Sequence, residues 1–286
     1  MRMITKGKSL LLAALVATTL WSCDSDDNFE NEKSIPQEVR NSFAQKYPSA
    51  SNTEWTNKGV YEVAEFTYNN IQASAWFDSK GTWHMTETDL PYSLLPQTVK
   101  DAFQACEYNT WKIDDVDMLE RKGFEPIYVI EVELQENEID LYFSAEGILI
   151  KTIVDNDNSN NDYENHLPET ATTEITSFIE ERYPQSRIVE IEREKSKIEV
   201  DIIHNNLSKE VVFNNDKQWL YTSWDVRVRE LPQAVSSILN TPQYIGYHID
   251  DAEYIETAQG DYYLLELEKG DRDVKVKVDI NGNILN

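Results

Sequence analysis

A chain of 286 residues with 52 Asp and Glu against 26 Lys and Arg carries a formal charge of −26. Such a field repels a phosphate backbone, which argues against a nucleic-acid partner, and it suits either solubility at a surface or the steering of basic partners. Two cysteines in the whole chain are too few for a disulfide framework.

Arg2, Lys6 and Lys8 precede an apolar run from Leu10 to Leu20, followed by Trp21-Ser22-Cys23. The run is shorter than the roughly 20 apolar residues that cross a bilayer. A basic start, an apolar middle and a small residue at the break mark residues 1–22 as a secretory signal peptide. Leu20 and Ser22 before Cys23 resemble a bacterial lipobox, with Trp21 a bulky occupant, so cleavage before Cys23 and lipidation of its thiol are expected. The alternative is an ordinary cleaved signal with an incidental cysteine. A diacylglyceryl thioether and an amide-linked chain would supply the two hydrophobic signals that stable anchoring needs, and this is the only membrane contact expected.

Asp24, Asp26, Asp27, Glu30 and Glu32 follow with no basic residue before Lys33. So acidic a run cannot offset its ordering entropy by burial, and residues 23–34 read as a flexible tether. The run also resembles the acidic export signal of Bacteroidetes surface lipoproteins. The expected location is therefore the outer membrane at the cell surface, or facing the periplasm if the run is a plain spacer.

Beyond the tether the chain repeats itself at an offset of 136. The shift carries Val39 to Ile175, Tyr47-Pro48 to Tyr183-Pro184, Asn69-Asn70 to Asn205-Asn206, Phe77 to Phe213 and Trp83 to Trp219. It also carries Leu95-Pro96-Gln97 to Leu231-Pro232-Gln233, Ile113-Asp114-Asp115 to Ile249-Asp250-Asp251, and Ile148-Leu149 to Ile284-Leu285. Two domains follow, residues 35–154 and 167–286, joined by an Asn- and Asp-rich linker over 155–166. Each looks doubled again, because Ile35-Pro36 and Leu95-Pro96 open similar segments, as do Leu167-Pro168 and Leu231-Pro232.

Within each subrepeat a helix comes first. Val39, Phe43 and Tyr47 are four apart, as are Ile175, Ile179 and Tyr183, with proline before the segment and directly after the tyrosine. Strands follow, because the apolar residues then alternate: Tyr128, Ile130, Val132, Leu134; Ile198, Val200, Ile202; Tyr263, Leu265, Leu267; Val274, Val276, Val278, Ile280. Turns are expected at Asp78–Gly81, Ala145–Gly147 and Asn281-Gly282, and hairpin tips at Asn69-Asn70 and Asn205-Asn206. The fold class is thus α+β: two tandem antiparallel sheets, each with helices on one face, each built from two helix-plus-four-strand subrepeats. The other face is expected to stay open.

No catalytic or metal constellation emerges. His84, His166, His204 and His248 are scattered without paired ligand spacing, and no nucleophile elbow or phosphate loop is present. Asp114-Asp115 and Asp250-Asp251 read as turn residues where strands begin. The linker's Asp155, Asp157, Ser159 and Asn161 fail as a calcium loop, with Asn160 in place of the turn glycine and His166 in place of the closing glutamate. Cys106, in the spacing Val99, Ala102, Phe103, Cys106, reads as a small apolar residue. Neither cofactor nor metal is expected. Trp76, Tyr142 and Tyr262 fall on the uncovered face and form the candidate binding face, since Trp and Tyr dominate interface hot spots; ordinary cross-strand pairing is the alternative. Trp83 and Trp219 are expected in the core.

The lipobox, Leu-Pro-Gln helix openings, Tyr-Pro helix ends and aromatic four-strand meanders together resemble the PepSY-like, β-lactamase-inhibitor-like family of Bacteroides-type lipoproteins. That resemblance covers residues 35–286. It implies a tandem helix-plus-sheet fold and an inhibitory or protein-binding role; separately, a monomer without enzymatic activity is expected. It supplies no catalytic residues, and no inhibitory loop can be matched to a position here. The rival readings are an adaptor of an envelope complex and a cryptic enzyme.

Overall fold

The computed structural model describes residues 35–135, 137–155 and 166–285. The signal peptide, Cys23, the tether and the linker between Asp155 and His166 lie outside the described residues. Among the described residues no helix is long and apolar enough to cross a membrane.

Each subrepeat is one helix and a four-strand meander. The first comprises α1 (Gln37–Lys46), β1 (Ser51–Lys58), β2 (Tyr61–Tyr68), β3 (Ile71–Asp78) and β4 (Trp83–Asp89); the second, α2 (Gln97–Ala105), β5 (Lys112–Arg121), β6 (Ile127–Leu134), β7 (Asn137–Ser144) and β8 (Leu149–Asp155). The third comprises α3 (Thr173–Arg182), β9 (Arg187–Arg193), β10 (Lys197–His204), β11 (Leu207–Asn214) and β12 (Trp219–Asp225); the fourth, α4 (Gln233–Ser236), β13 (His248–Thr257), β14 (Tyr262–Glu268), β15 (Asp273–Asp279) and β16 (Ile284–Leu285). Consecutive strands pair antiparallel into two eight-stranded sheets, β1–β8 and β9–β16. This is the α+β tandem arrangement expected from the repeat.

Proline starts three of the helices. Pro36, Pro96 and Pro232 occupy the N-cap with φ of −56°, −52° and −55°, close to the value the ring imposes. The third helix departs from the expectation. It begins at Thr173 behind Thr172, so Thr172 stands where Pro36 does and Leu167-Pro168 opens no helix. Both residues of the tips at Asn69-Asn70 and Asn205-Asn206 have positive φ, the geometry of a two-residue hairpin matched to strand twist.

Glycine is required where a third-to-fourth-strand turn rests on a helix. A Cβ on Gly81, Gly147 or Gly282 would lie 2.7, 2.4 or 2.3 Å from the carbonyl oxygen of Glu38, Thr98 or Ala234. In the third subrepeat Lys217 takes the positive φ instead, and its Nζ reaches Glu174, the counterpart of Glu38, at 3.5 Å.

Two expectations need correction. Leu119 pairs with Ile127, whereas Ile255 pairs with Tyr262. The second turn is one residue shorter, the offset drops to 135 from β6 onward, and Leu149 corresponds to Ile284. Asp114 and Asp250 are not turn residues either. The ladders slip between Ile113 and Asp115 and between Ile249 and Asp251, so each aspartate is the extra residue of a β-bulge at a matched position.

The helices cover one face of each sheet. Val39, Phe43 and Tyr47 pack with Phe66 and Phe77; Val99 and Phe103 with Val116, Ile130 and Leu141; Ile175 and Ile179 with Val200 and Phe213; Val235 and Ile238 with Leu265 and Val276. Trp83 and Trp219 join these cores from the edge, part-buried, each donating Nε1 to a threonine, Thr86 at 2.8 Å and Thr222 at 2.9 Å. Cys106 follows α2, half-buried against the second core, and burial pushes its thiol up, away from the reactive thiolate.

Candidate functional site

The second face of the first sheet is not open. Val63, Trp76, Met85, Leu119, Ile127, Val129 and Tyr142 form a further buried cluster on it, with Leu167 packed against them. Trp76 is 1% exposed and Tyr142 2%. Neither can meet a partner, which corrects their assignment to a binding face. Tyr262 lies apart on the second sheet, part-exposed, with Lys277 Nζ 5.3 Å from its ring centroid. The three residues therefore form no common surface.

The polar joint beside this cluster ties the sheets together. Arg121, at the end of β5, donates Nη1 to Glu190 on β9 at 2.9 Å and Nη2 to the Val189 carbonyl at 2.6 Å. Lys151 of β8 lies 2.6 Å from the other Glu190 oxygen and 2.5 Å from Glu192. His166 bridges from Tyr142, with Nε2 3.2 Å from the phenol oxygen and Nδ1 2.6 Å from Glu190. Burial alone would raise the Glu190 carboxyl; the His166 hydrogen bond and the His166, Lys151 and Arg121 charges instead hold it well below the usual carboxylate range. His166, Glu190 and Glu192 are close enough to share a metal ion. The Lys151 ammonium already pairs with both carboxylates, so the donor set fits an ion pair better than a metal. His248, Asp250 and Glu268 also cluster, but in the open, with His248 paired to Glu268 at 3.2 Å.

From this joint a cleft of about 1050 Å³ opens between the halves. One wall, from the first half, is largely apolar, with Ala102, Cys106, Leu149 and Ile153 beside Glu107 and Lys151. The other is the second face of the second sheet, which presents Glu192, Glu199, Asp201, Glu210, Asp225 and Glu253. Strand alternation produces this wall. Asp201 and Glu210 face one another across β10 and β11, while Val200 and Val211 point to the helices. Lys151 and Lys197 pair with Glu192 and Glu199. Asp201, Glu210, Asp225 and Glu253 have no hydrogen bond or ion pair among the described residues.

Crowding shows in their acidity. Burial, opposed by Lys151 and reinforced by Glu190, Glu210 and Glu192, pushes Asp201 up to about 8. Burial and then Glu199 push Glu210 up to about 7, and burial with Asp251 and Glu253 raises Asp225. A cation brought to such a carboxyl favours its ionised form and releases its proton. A largely apolar wall opposite carboxylates suits an amphipathic basic segment.

Sequence reading missed the cleft because alternation alone does not say which second face is covered. The signal lay in runs without alternation, Ala75-Trp76-Phe77, Ile127–Ile130 and Leu141–Phe143, which mark strands buried on both faces. In the second half the third of these runs is broken, Tyr142 becoming Lys277, and elsewhere on the same face Val63 becomes Glu199 and Met85 becomes Tyr221.

Comparison with known proteins gives the lineage. A family model described as "Putative beta-lactamase-inhibitor-like, PepSY-like" matches residues 59–151, 160–208 and 199–286. Among solved structures, a BLIP-like protein from Bacteroides fragilis is 35% identical, with 44% of this chain and 92% of the other covered at a TM-score of 0.41. A DUF2874 family protein from Bacteroides ovatus is 33% identical, covering 42% and 88%, also at 0.41. No curated protein matches the chain. With the family model matched across both sheets, the chain belongs to the PepSY-like, β-lactamase-inhibitor-like family.

Proposed function

We propose that this chain is a non-enzymatic, monomeric protein-binding module of the cell envelope, held on the outer membrane by lipid at Cys23, that takes a basic segment of a partner protein into the cleft. The observation that carries the reading is the row of unpaired carboxylates, with Asp201 and Glu210 raised to about 8 and 7, facing a largely apolar wall. Family membership supports a binding role. Inhibition of a secreted hydrolase is the specific form proposed. An adaptor role is the second reading, favoured by the buried Arg121–Glu190 joint, which fixes one unit against the other as a spacer requires.

Capture on intact cells with the chain as bait tests both, run beside the Glu210→Lys/Glu253→Lys variant. Partners kept by the parent and lost by the variant, at equal melting temperature, support the cleft; equal retention sinks it. A captured hydrolase whose turnover falls on binding identifies an inhibitor, and envelope proteins alone identify an adaptor. Substrate turnover by the chain itself, abolished in Asp201→Asn, would replace both with an enzyme.

A further inference from the structure

One of the differences between the tandem halves on the helix side outlines a second site. In the first half Tyr47, Tyr68, Ala73, Thr88, Met118 and Glu120 line a cavity of about 250 Å³. The residues 136 positions on are Tyr183, His204, Lys209, Trp224, Tyr254 and Glu256. The ladders confirm the equivalence: Thr88 pairs with Ala73 and Met118, and Trp224 pairs with Tyr254.

In the second half that space is filled from within. Lys209, standing where Ala73 does, is only 7% exposed. Its Nζ lies 3.0 Å from the Trp224 ring centroid and 5.5 Å from that of Tyr183, in the field of Glu256. Glu256 is engaged as well, accepting the Tyr183 hydroxyl at 2.5 Å and pairing with Arg182 at 3.5 Å.

The first half keeps Tyr47 and Glu120 at the positions of Tyr183 and Glu256, has Thr88 and Met118 in place of Trp224 and Tyr254, and lacks the occupant. Lys46, at the position of Arg182, lies over Trp83 at 3.7 Å from its centroid. The Tyr47 hydroxyl bonds to Thr86. Glu120, part-buried on the cavity wall, has no hydrogen bond or ion pair among the described residues. One carboxylate and two phenol rings thus surround a space whose twin holds a lysine head, and aromatic faces with a nearby anion attract an ammonium.

We infer that the first-half cavity binds a primary alkylammonium group, held between Glu120 and the rings of Tyr47 and Tyr68, in the space that the Lys209 side chain fills in the second half. The group belongs to a lysine side chain or to a free amine; the pocket chemistry is the same for both. This site is separate from the cleft and does not depend on it.

The test is a titration of the protein with n-butylammonium chloride at constant ionic strength, followed by amide chemical shifts. Saturable shifts at Ala73, Thr88 and Glu120 are expected, with a dissociation constant on the order of 1 mM for so small a ligand. Glu120→Gln should weaken binding about tenfold, and Ala73→Lys, which copies the twin, should abolish it with the melting temperature retained. Lys209→Ala should open a second site and double the stoichiometry; if that variant unfolds, Ala73→Lys decides alone. A short alanine peptide carrying one lysine, bound more tightly than butylammonium, assigns the group to a protein side chain, and weaker binding assigns it to a free amine. Absence of saturable shifts at these residues, or binding unaltered in Ala73→Lys, overturns the inference.

Discussion

Glu190 and Asp201 lie on adjacent strands, are both carboxylates, and are shifted in opposite directions. Glu190 faces Arg121, Lys151 and His166. Removing its charge leaves the buried Arg121 without its anion, although Lys151 keeps Glu192, and breaking such a buried pair typically costs about 3–5 kcal/mol. Glu190→Gln should therefore lower the denaturation free energy by that amount, read from urea unfolding. Because its carboxyl is held low, its stabilisation is present above the ordinary carboxylate range and is lost as pH falls through the depressed value. Asp201 works the other way. With a folded value of about 8 against 3.8, its proton is held more tightly in the folded state, so stability is lost as pH rises from 3.8 to about 8 and is level above. Asp201→Asn should raise the melting temperature at pH 8.5, by about 3 °C for each kcal/mol relieved, and leave it unchanged near pH 3. An equal shift at both pH values would show that the carboxyl is not the source.

At the scale of the element, the meanders depend on three glycine turns and on the two-faced strands of the first sheet. Gly147→Ala combines a positive φ with a Cβ 2.4 Å from the Thr98 carbonyl oxygen, so α2 must lift away from its turn. Gly123 has a positive φ with nothing within 4 Å and serves as the control. The control should lose about 1–2 kcal/mol from backbone strain alone, and Gly147→Ala clearly more, measured by the same unfolding assay. Trp76→Ala should cost about 3–5 kcal/mol. Loss of capture in that variant without loss of stability would return Trp76 to a binding surface. The short α4 continues as a 3₁₀ turn over Ser237–Asn240, and Val235 with Ile238 still reaches the core.

For the whole molecule, duplication produced two sheets that differ on their second faces. The first buries Trp76, Met85 and Tyr142 there, and the second presents Glu199, Asp201 and Glu210. Residues 35–155 expressed alone should expose that apolar cluster and bind a hydrophobic dye, while residues 167–286 alone should not. Equal dye binding by the two pieces, or none by the first, would mean that the cluster does not depend on the other half.

Periodicity by itself determined the tandem α+β architecture, the hairpin tips at Asn69-Asn70 and Asn205-Asn206 and the helix-side cores, because these follow from local backbone geometry and from which side chains share a face. It also assigned Trp83 and Trp219 to the core, which they join part-buried from its edge. Tertiary structure alone decided the rest. Whether Trp76 and Tyr142 meet solvent depends on what lies across the sheet, and no periodicity within a strand encodes that neighbour. The joint of Arg121, Lys151, His166 and Glu190 draws its groups from β5, β8, β9 and the segment before α3, far apart in the chain, and only the docking of the two halves brings them within hydrogen-bonding distance.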